Sequence, residues 1–162
     1  MEIRPAEPRD LDQLVEIYNQ AVAARATADT EPVTVAERRE WFAAHPADRR
    51  PILVAVREGG IVGWASLSDY RPGRQALRHT AEISYFVDER HRRRGVARAL
   101  VRSCIERCPA LGIRSLFAIL LEDNEASIRL LVGLGFERWA HLPRIADFDG
   151  EEIGQFYYGR RV

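Results

Sequence analysis

Between Thr80 and Leu121 the chain reads as strand, basic glycine turn, amphipathic helix and buried strand, an order that few folds accommodate. Thr80-Ala-Glu-Ile-Ser-Tyr-Phe-Val87 has the β-branched and aromatic content of a strand, with one carboxylate, Glu82, set into it. A polar turn runs from Asp88 to Arg94 and closes on Gly95. From Val96 the apolar residues fall four apart, as Val96/Ala97, Leu100/Val101, Cys104/Ile105 and Cys108, which marks one face of an α-helix. Pro109 and the Leu111-Gly112 pair stop it. Ser115-Leu-Phe-Ala-Ile-Leu-Leu121 is apolar on both faces, as expected of a strand covered on both sides. Strand, helix and strand in that order predict a right-handed crossover with the two strands parallel.

Such a unit points the free N–H groups of its helix out of the sheet and forms an anion site. Here the turn into the helix is His91-Arg92-Arg93-Arg94-Gly95-Val96-Ala97. Gly95 lets backbone approach a ligand closely, Ala97 leaves the next N–H unobstructed, and three arginines supply charge for phosphates. The alternative is a solvated charged loop, but a glycine placed at the strand-to-helix turn favours phosphate. No kinase-type G-x-x-x-x-G-K-[ST] run occurs, and Gly133-Leu-Gly135 closes a helical run where a dinucleotide fingerprint would open one.

The flanking segments predict an α/β domain with a mixed sheet. Glu2–Arg4 is a short strand, and a helix runs from Pro8 to about Ala24. Residues 25–33 form a loop long enough to reach over a substrate site. Thr34-Val-Ala-Glu37 is a capping box that opens a second helix carrying Trp41 and Phe42. Ile52–Val56 and Ile61–Leu67 make a hairpin about Gly59-Gly60, and Asp69–His79 is a polar connection. Asn124 caps a helix carrying Ile128, Leu130, Leu131 and Leu134. Phe136 begins a strand towards His141, Asp149-Gly150 turns the chain, and Ile153–Tyr158 closes the sheet.

With 24 basic and 24 acidic residues the chain has no net field to draw it to nucleic acid or a membrane surface. Every basic residue is arginine, which reads as coding bias. No stretch is apolar enough to span a bilayer and no leader pattern opens the chain, so a cytoplasmic protein of one domain, residues 1–162, is expected. Cys104 and Cys108 lie on the helix's apolar face without companion ligands and read as reduced core residues. His45, His79, His91 and His141 show no ligand spacing, so no metal is expected.

Arg92-x-x-Gly95-x-Ala97, after a strand and opening a helix, resembles the acetyl-CoA diphosphate motif of the GNAT N-acetyltransferases. Ile17–Val22, Glu31-Pro32, Arg38-x-x-Trp41-Phe42, Pro51–Ala55, Gly63–Ser66, Thr80–Val87, Asn124-x-x-Ser127 and Leu134-Gly-Phe136 are similar, in that order, to the phosphinothricin and methionine-sulfoximine acetyltransferase branch. The resemblance implies a GNAT-like mixed, mostly antiparallel sheet with a parallel βαβ core flanked by helices. It implies that Tyr85, Phe86 and Val87 line acetyl-CoA with their backbone groups, like an added strand. Arg92, Arg93, Arg94, Gly95, Val96, Ala97 and Arg98 would hold the diphosphate, Asn124 would contact the pantetheine, and Ser127 would lie nearby. Glu82 matches the general base; Arg71, Pro72, Ile83 and Ser84 match positions bordering the amine. The branch forms homodimers. Two departures stand out: Leu131 occupies a position where relatives carry a proton-donating tyrosine or histidine, and Asp147–Glu152 is acidic where a basic, aromatic run is expected.

An amine must lose a proton before it attacks a thioester, and a partly buried Glu82 would be a competent base. The competing assignment pairs Glu82 with an arginine such as Arg78. Arg71, Arg74 and Arg78 either clamp a substrate carboxylate or form a solvated loop. The expected activity is acetylation of a small amino acid or analogue. The alternatives are a protein N-terminus, which needs an open groove between residues 25–33 and 147–152, a polyamine held by acidic walls, and a CoA-binding module without catalysis.

Overall fold

The computed structural model describes residues 1–162. The strands are β1 (Glu2–Pro5), β2 (Ile52–Arg57), β3 (Gly60–Asp69), β4 (Thr80–Val87), β5 (Ser115–Leu121), β6 (Glu137–Phe148) and β7 (Glu151–Arg161). The helices are α1 (Leu11–Ala23), α2 (Val35–Ala43), α3 (Val96–Arg107) and α4 (Glu125–Val132). One sheet holds every strand in the order β1-β2-β3-β4-β5-β7-β6. Only β4 and β5 are parallel, the outcome expected of the βαβ order. No helix is long and apolar enough to cross a membrane.

The two faces of the sheet carry separate cores. Ala81 and Ile83 of β4, Leu116 and Ala118 of β5, Leu100, Val101 and Cys104 of α3 and Leu131 of α4 form the larger cluster. Leu14 and Ile17 of α1 pack with Val54 and Trp64 on the other face, with Trp41 and Phe86 against them. Alternate β4 residues therefore divide between the faces. Trp64 and Phe86, register partners, have ring centroids 4.8 Å apart, which fixes Phe86, Ser84 and Glu82 on the α1/α2 side.

Local signals hold where they depend on neighbours in sequence. Thr34 and Glu37 form the expected capping box, and Asn124 accepts from the Ser127 N–H at the start of α4. Three expectations need correction. The segment before α1 is a separate 3₁₀ turn, Pro8–Asp10, because Asp10 turns inward to a bidentate pair with Arg4 at 2.7 and 3.0 Å. The β2–β3 turn is Glu58-Gly59, both with positive φ, and Gly60 already belongs to β3. β6 and β7 extend well beyond His141 and Tyr158, respectively; register shifts near Arg138–Ala140 and Leu142–Ala146 break the alternation from which their length would be read.

Candidate active site

The parallel pairing of β4 with β5 ends early. Thr80, Ala81 and Glu82 meet Ser115, Leu116 and Phe117, and no register continues beyond them. On their outer sides β4 stays paired with β3 through Val87, and β5 with β7 through Leu121. Two strand edges with unspent backbone donors and acceptors therefore diverge from Glu82. A cavity of about 270 Å³ fills the fork, walled by Glu82–Phe86 on one side and Ala118–Leu121 on the other. Asn124 and Ser127 of α4, Gln155 of β7 and the loop residues Ala26, Thr27 and Ala28 complete it.

Glu82 sits at the crotch. It is half-buried and makes no hydrogen bond or ion pair with another side chain; Arg78 instead donates to the Gln75 carbonyl. Desolvation pushes its carboxyl above the ordinary glutamate range. Tyr157 lies close enough to feel its charge, and burial raises that phenol as well. Burial pushes Tyr85 up to about 12, with the nearby Ser127 side chain working against that rise. Ile83 contributes to the wall, although its side chain is locked in the core.

The turn after β4 is organised by a carboxylate that the sequence does not flag. Asp88, 2% exposed, accepts from the Arg90 N–H at 2.9 Å and from the Arg90 guanidinium at 3.0 and 2.9 Å. His91 and Gln20 approach the same carboxylate, and Gln20 also accepts from the Glu89 N–H at 2.9 Å. These partners hold the Asp88 carboxyl far below its usual range. Arg92, Arg93 and Arg94 remain exposed. Gly95 has φ 79°, a left-handed conformation, and a Cβ there would meet nothing within 4 Å. Space for a ligand therefore lies beside the α3 N-terminus, although Val96 turns its side chain into the core.

Other expected site residues lie elsewhere. Arg98 reaches the Gly133 carbonyl at the end of α4, 3.4 Å away. Val87 packs against the main core and does not line the cavity. Arg71 and Pro72 are exposed and line a separate polar recess of about 120 Å³ with Arg49, Asp69, Arg74 and Arg78. Leu131 is fully buried in the core and does not line the cavity.

The α1–α2 loop closes over the fork and is tied at both ends. Asn19 exchanges two 2.9 Å hydrogen bonds with the Val33 backbone. Tyr18 donates to Asp29 at 2.5 Å, and Arg38, its guanidinium 4.6 Å from the Tyr18 ring centroid, donates to the same carboxylate at 3.2 Å. Arg25 reaches the β6–β7 tip, 3.2 Å from Glu151 and 5.6 Å from the Phe148 ring centroid. This bridge spans the gap expected of an open peptide groove. A hydrogen bond to a carboxylate is worth about 1.5–3 kcal/mol. Tyr18→Phe should therefore speed amide exchange over residues 26–30 by about tenfold or more; unchanged exchange would remove Tyr18 from the latch.

Diverging parallel strands, a glycine-arginine turn and an unpaired carboxylate at the fork define an acyl-transfer fold, and the sequence agrees. Residues 1–137 match the family model described as "Acetyltransferase (GNAT) domain", and the chain belongs to that family. YwnH of Bacillus subtilis (strain 168) is 42% identical over 164 residues, spanning 100% of this chain and 99% of its own. A Pseudomonas paraeruginosa L-methionine sulfoximine/L-methionine sulfone acetyltransferase is 36% identical, covering 95% of this chain and 88% of its own. A Sinorhizobium meliloti phosphinothricin acetyltransferase, solved in complex with AcCoA, superposes with a TM-score of 0.93 at 29% identity, covering 99% of this chain and 88% of that one.

Proposed function

We propose that the protein is an acetyl-CoA-dependent N-acetyltransferase acting on the primary amine of a small amino acid or analogue, of the phosphinothricin or methionine-sulfoximine type. The observation that carries this reading is the fork: two strand edges part at a desolvated carboxylate that has no cation beside it. The cofactor's pantetheine arm fits the exposed edge of Ile83–Val87 as an added strand, and Asn124, with Ser127 beside it, faces the same space. Its diphosphate fits the turn of Arg92–Arg94 and the N–H groups of Gly95, Val96 and Ala97, with Arg98 in the first helical turn.

Glu82 takes the proton from the incoming ammonium, and the free amine attacks the thioester carbon. Ile83 and Ser84 border the amine, while Arg71 and Pro72 guide the acceptor's carboxylate or phosphinate from the outer recess. With leucine at 131, sulfur leaves as a thiolate. A thiol pKa near that of free cysteine, ~8.5, permits this. The names of the relatives and the Arg25–Glu151 bridge favour a small acceptor over a peptide. Of the acids that would wall a polyamine site, Glu151 is engaged by Arg25 and Asp147 accepts from the Gly150 N–H.

Residues 1–162 act as one catalytic domain, in the cytoplasm, where the two free buried thiols stay reduced. A homodimer formed through β6 would cover the exposed Trp139 and Ile145, 48% and 55% accessible. Titration with acetyl-CoA followed by a thiol-release screen tests the reading. Binding is expected, with release for phosphinothricin or methionine sulfoximine above polyamines and peptides. Binding without release for any amine would make the protein a non-catalytic CoA module.

A further inference from the structure

Glu82 must discard a proton in every cycle, and the latched loop covers the cavity into which it faces. The adjacent strand carries a hydroxyl at the right place. Ser68 of β3 is the register partner of Glu82 on the same face of the sheet, and directly opposed residues have Cβ atoms about 4.5–5.5 Å apart. Behind Ser68 stands His45, just beyond the end of α2. Its Nδ1 is 2.6 Å from the Trp41 carbonyl and its Nε2 is 3.0 Å from the Ser68 hydroxyl. A carbonyl only accepts, so Nδ1 carries the ring proton in the neutral imidazole, and Nε2 accepts from Ser68. The Ser68 oxygen keeps its lone pairs for a donor on the other side. Glu82 has no side-chain hydrogen bond to hold it elsewhere, and His45 is partly exposed.

We propose that Ser68 and His45 form a proton outlet behind Glu82, resting on the reading of Glu82 as the base. Glu82 in its acid form passes its proton to the Ser68 oxygen as the Ser68 hydroxyl proton moves to His45 Nε2. With the Ser68 hydroxyl now turned to Glu82, the imidazolium gives its Nε2 proton to water or buffer and keeps the Nδ1 proton on the Trp41 carbonyl. Glu82 is again a carboxylate, and Ser68 and His45 regain their starting forms once the hydroxyl rotates. Neither residue touches the substrate; both act through Glu82.

The surroundings favour rapid discharge. Desolvation holds the His45 imidazole below its ordinary pKa, so the neutral ring is its resting form. Asp69 opposes this by favouring the imidazolium, but its carboxylate is shared by Arg49 and Arg50 at 2.8 and 2.7 Å. From the other strands, the Tyr157 phenol lies near enough to feel the charges of Glu82 and Tyr70.

The test uses His45→Gln, which retains hydrogen-bonding capacity but cannot carry the proton, and Ser68→Ala beside Ser68→Thr. In dilute non-transferring buffer at neutral pH, His45→Gln and Ser68→Ala should each lower kcat by about tenfold or more. Acetyl-CoA affinity should be unchanged, Ser68→Thr should retain turnover, and imidazole should restore both impaired variants. Wild-type turnover in both would overturn the outlet, as would a loss that imidazole does not relieve and Ser68→Thr shares. Glu82→Gln run in parallel separates the two ideas. If it is inactive while the His45 and Ser68 variants are normal, only the outlet fails; if it is fully active, the base assignment itself fails.

Discussion

Glu82→Gln should lower kcat/KM for the amine about 10²–10⁴-fold at neutral pH and leave the dissociation constant for acetyl-CoA unchanged. The carboxylate lies at the fork, desolvated and free of any ion pair, so its loss removes a base without disturbing a structural partner. Glutamine retains the shape and the polar end. Wild-type kcat/KM should rise with pH through a limb displaced above the ordinary glutamate value of 4.5, and the variant should lack that limb. Stability should move the opposite way. Because burial raises the folded pKa above the unfolded one, the group's favourable contribution is complete below the unfolded value and is lost as pH rises through the folded value. At neutral pH the wild-type fold thus carries an uncompensated charge that glutamine lacks. The variant's Tm should exceed the wild type's there, by about 2–4 °C for each kcal/mol relieved, and the gap should close towards acid pH. A variant that is fully active from neutral to alkaline pH, or less stable at neutral pH, would remove Glu82 from this role.

The second large effect is expected at Asp88, far from the fork's chemistry. Asp88→Ala leaves the Arg90 N–H without its acceptor and frees the Arg90 and Gln20 side chains that brace the turn. Losing the hydrogen bonds of a buried carboxylate costs about 1–3 kcal/mol. That loss should lower Tm, and the turn must then be reordered on binding, so acetyl-CoA should bind about 5–150-fold more weakly. At saturating acetyl-CoA, kcat should remain close to wild type, which distinguishes this variant from Glu82→Gln. Asp88→Asn keeps one acceptor and should fall between. The pH dependence has the reverse sign to that of Glu82. A carboxyl whose folded pKa is depressed stabilises the fold above its unfolded value, and the contribution is lost only as pH falls through the folded one. The turn should accordingly stay ordered in mild acid. Unaltered acetyl-CoA affinity in Asp88→Ala would show that the arginines need no such brace.

Much of this was legible because its causes are local. The Thr34 box, the Asn124 cap, the glycine turn before α3 and the four-residue recurrence along α3 all involve neighbours within one or two turns. The parallel β4–β5 pair followed from chain order and the handedness of crossovers. The same proximity in sequence places Glu82 on the strand that leads into the glycine-arginine turn.

Tertiary structure decided the rest, because those features arise between segments that are distant in sequence. Nothing near Glu82 states that β5 leaves β4 just beyond it, that no arginine reaches it, or that Ser68 stands opposite with His45 behind. Arg98 turns to α4, Arg71 and Pro72 to an outer recess, and Asp88 inward, according to which donors and acceptors the packed chain places beside them. Sequence determined the elements, their caps and their order, since these depend on short-range sterics and hydrogen bonding. Strand register and packing determined which groups are left desolvated and unpaired, and those are the groups that carry the chemistry.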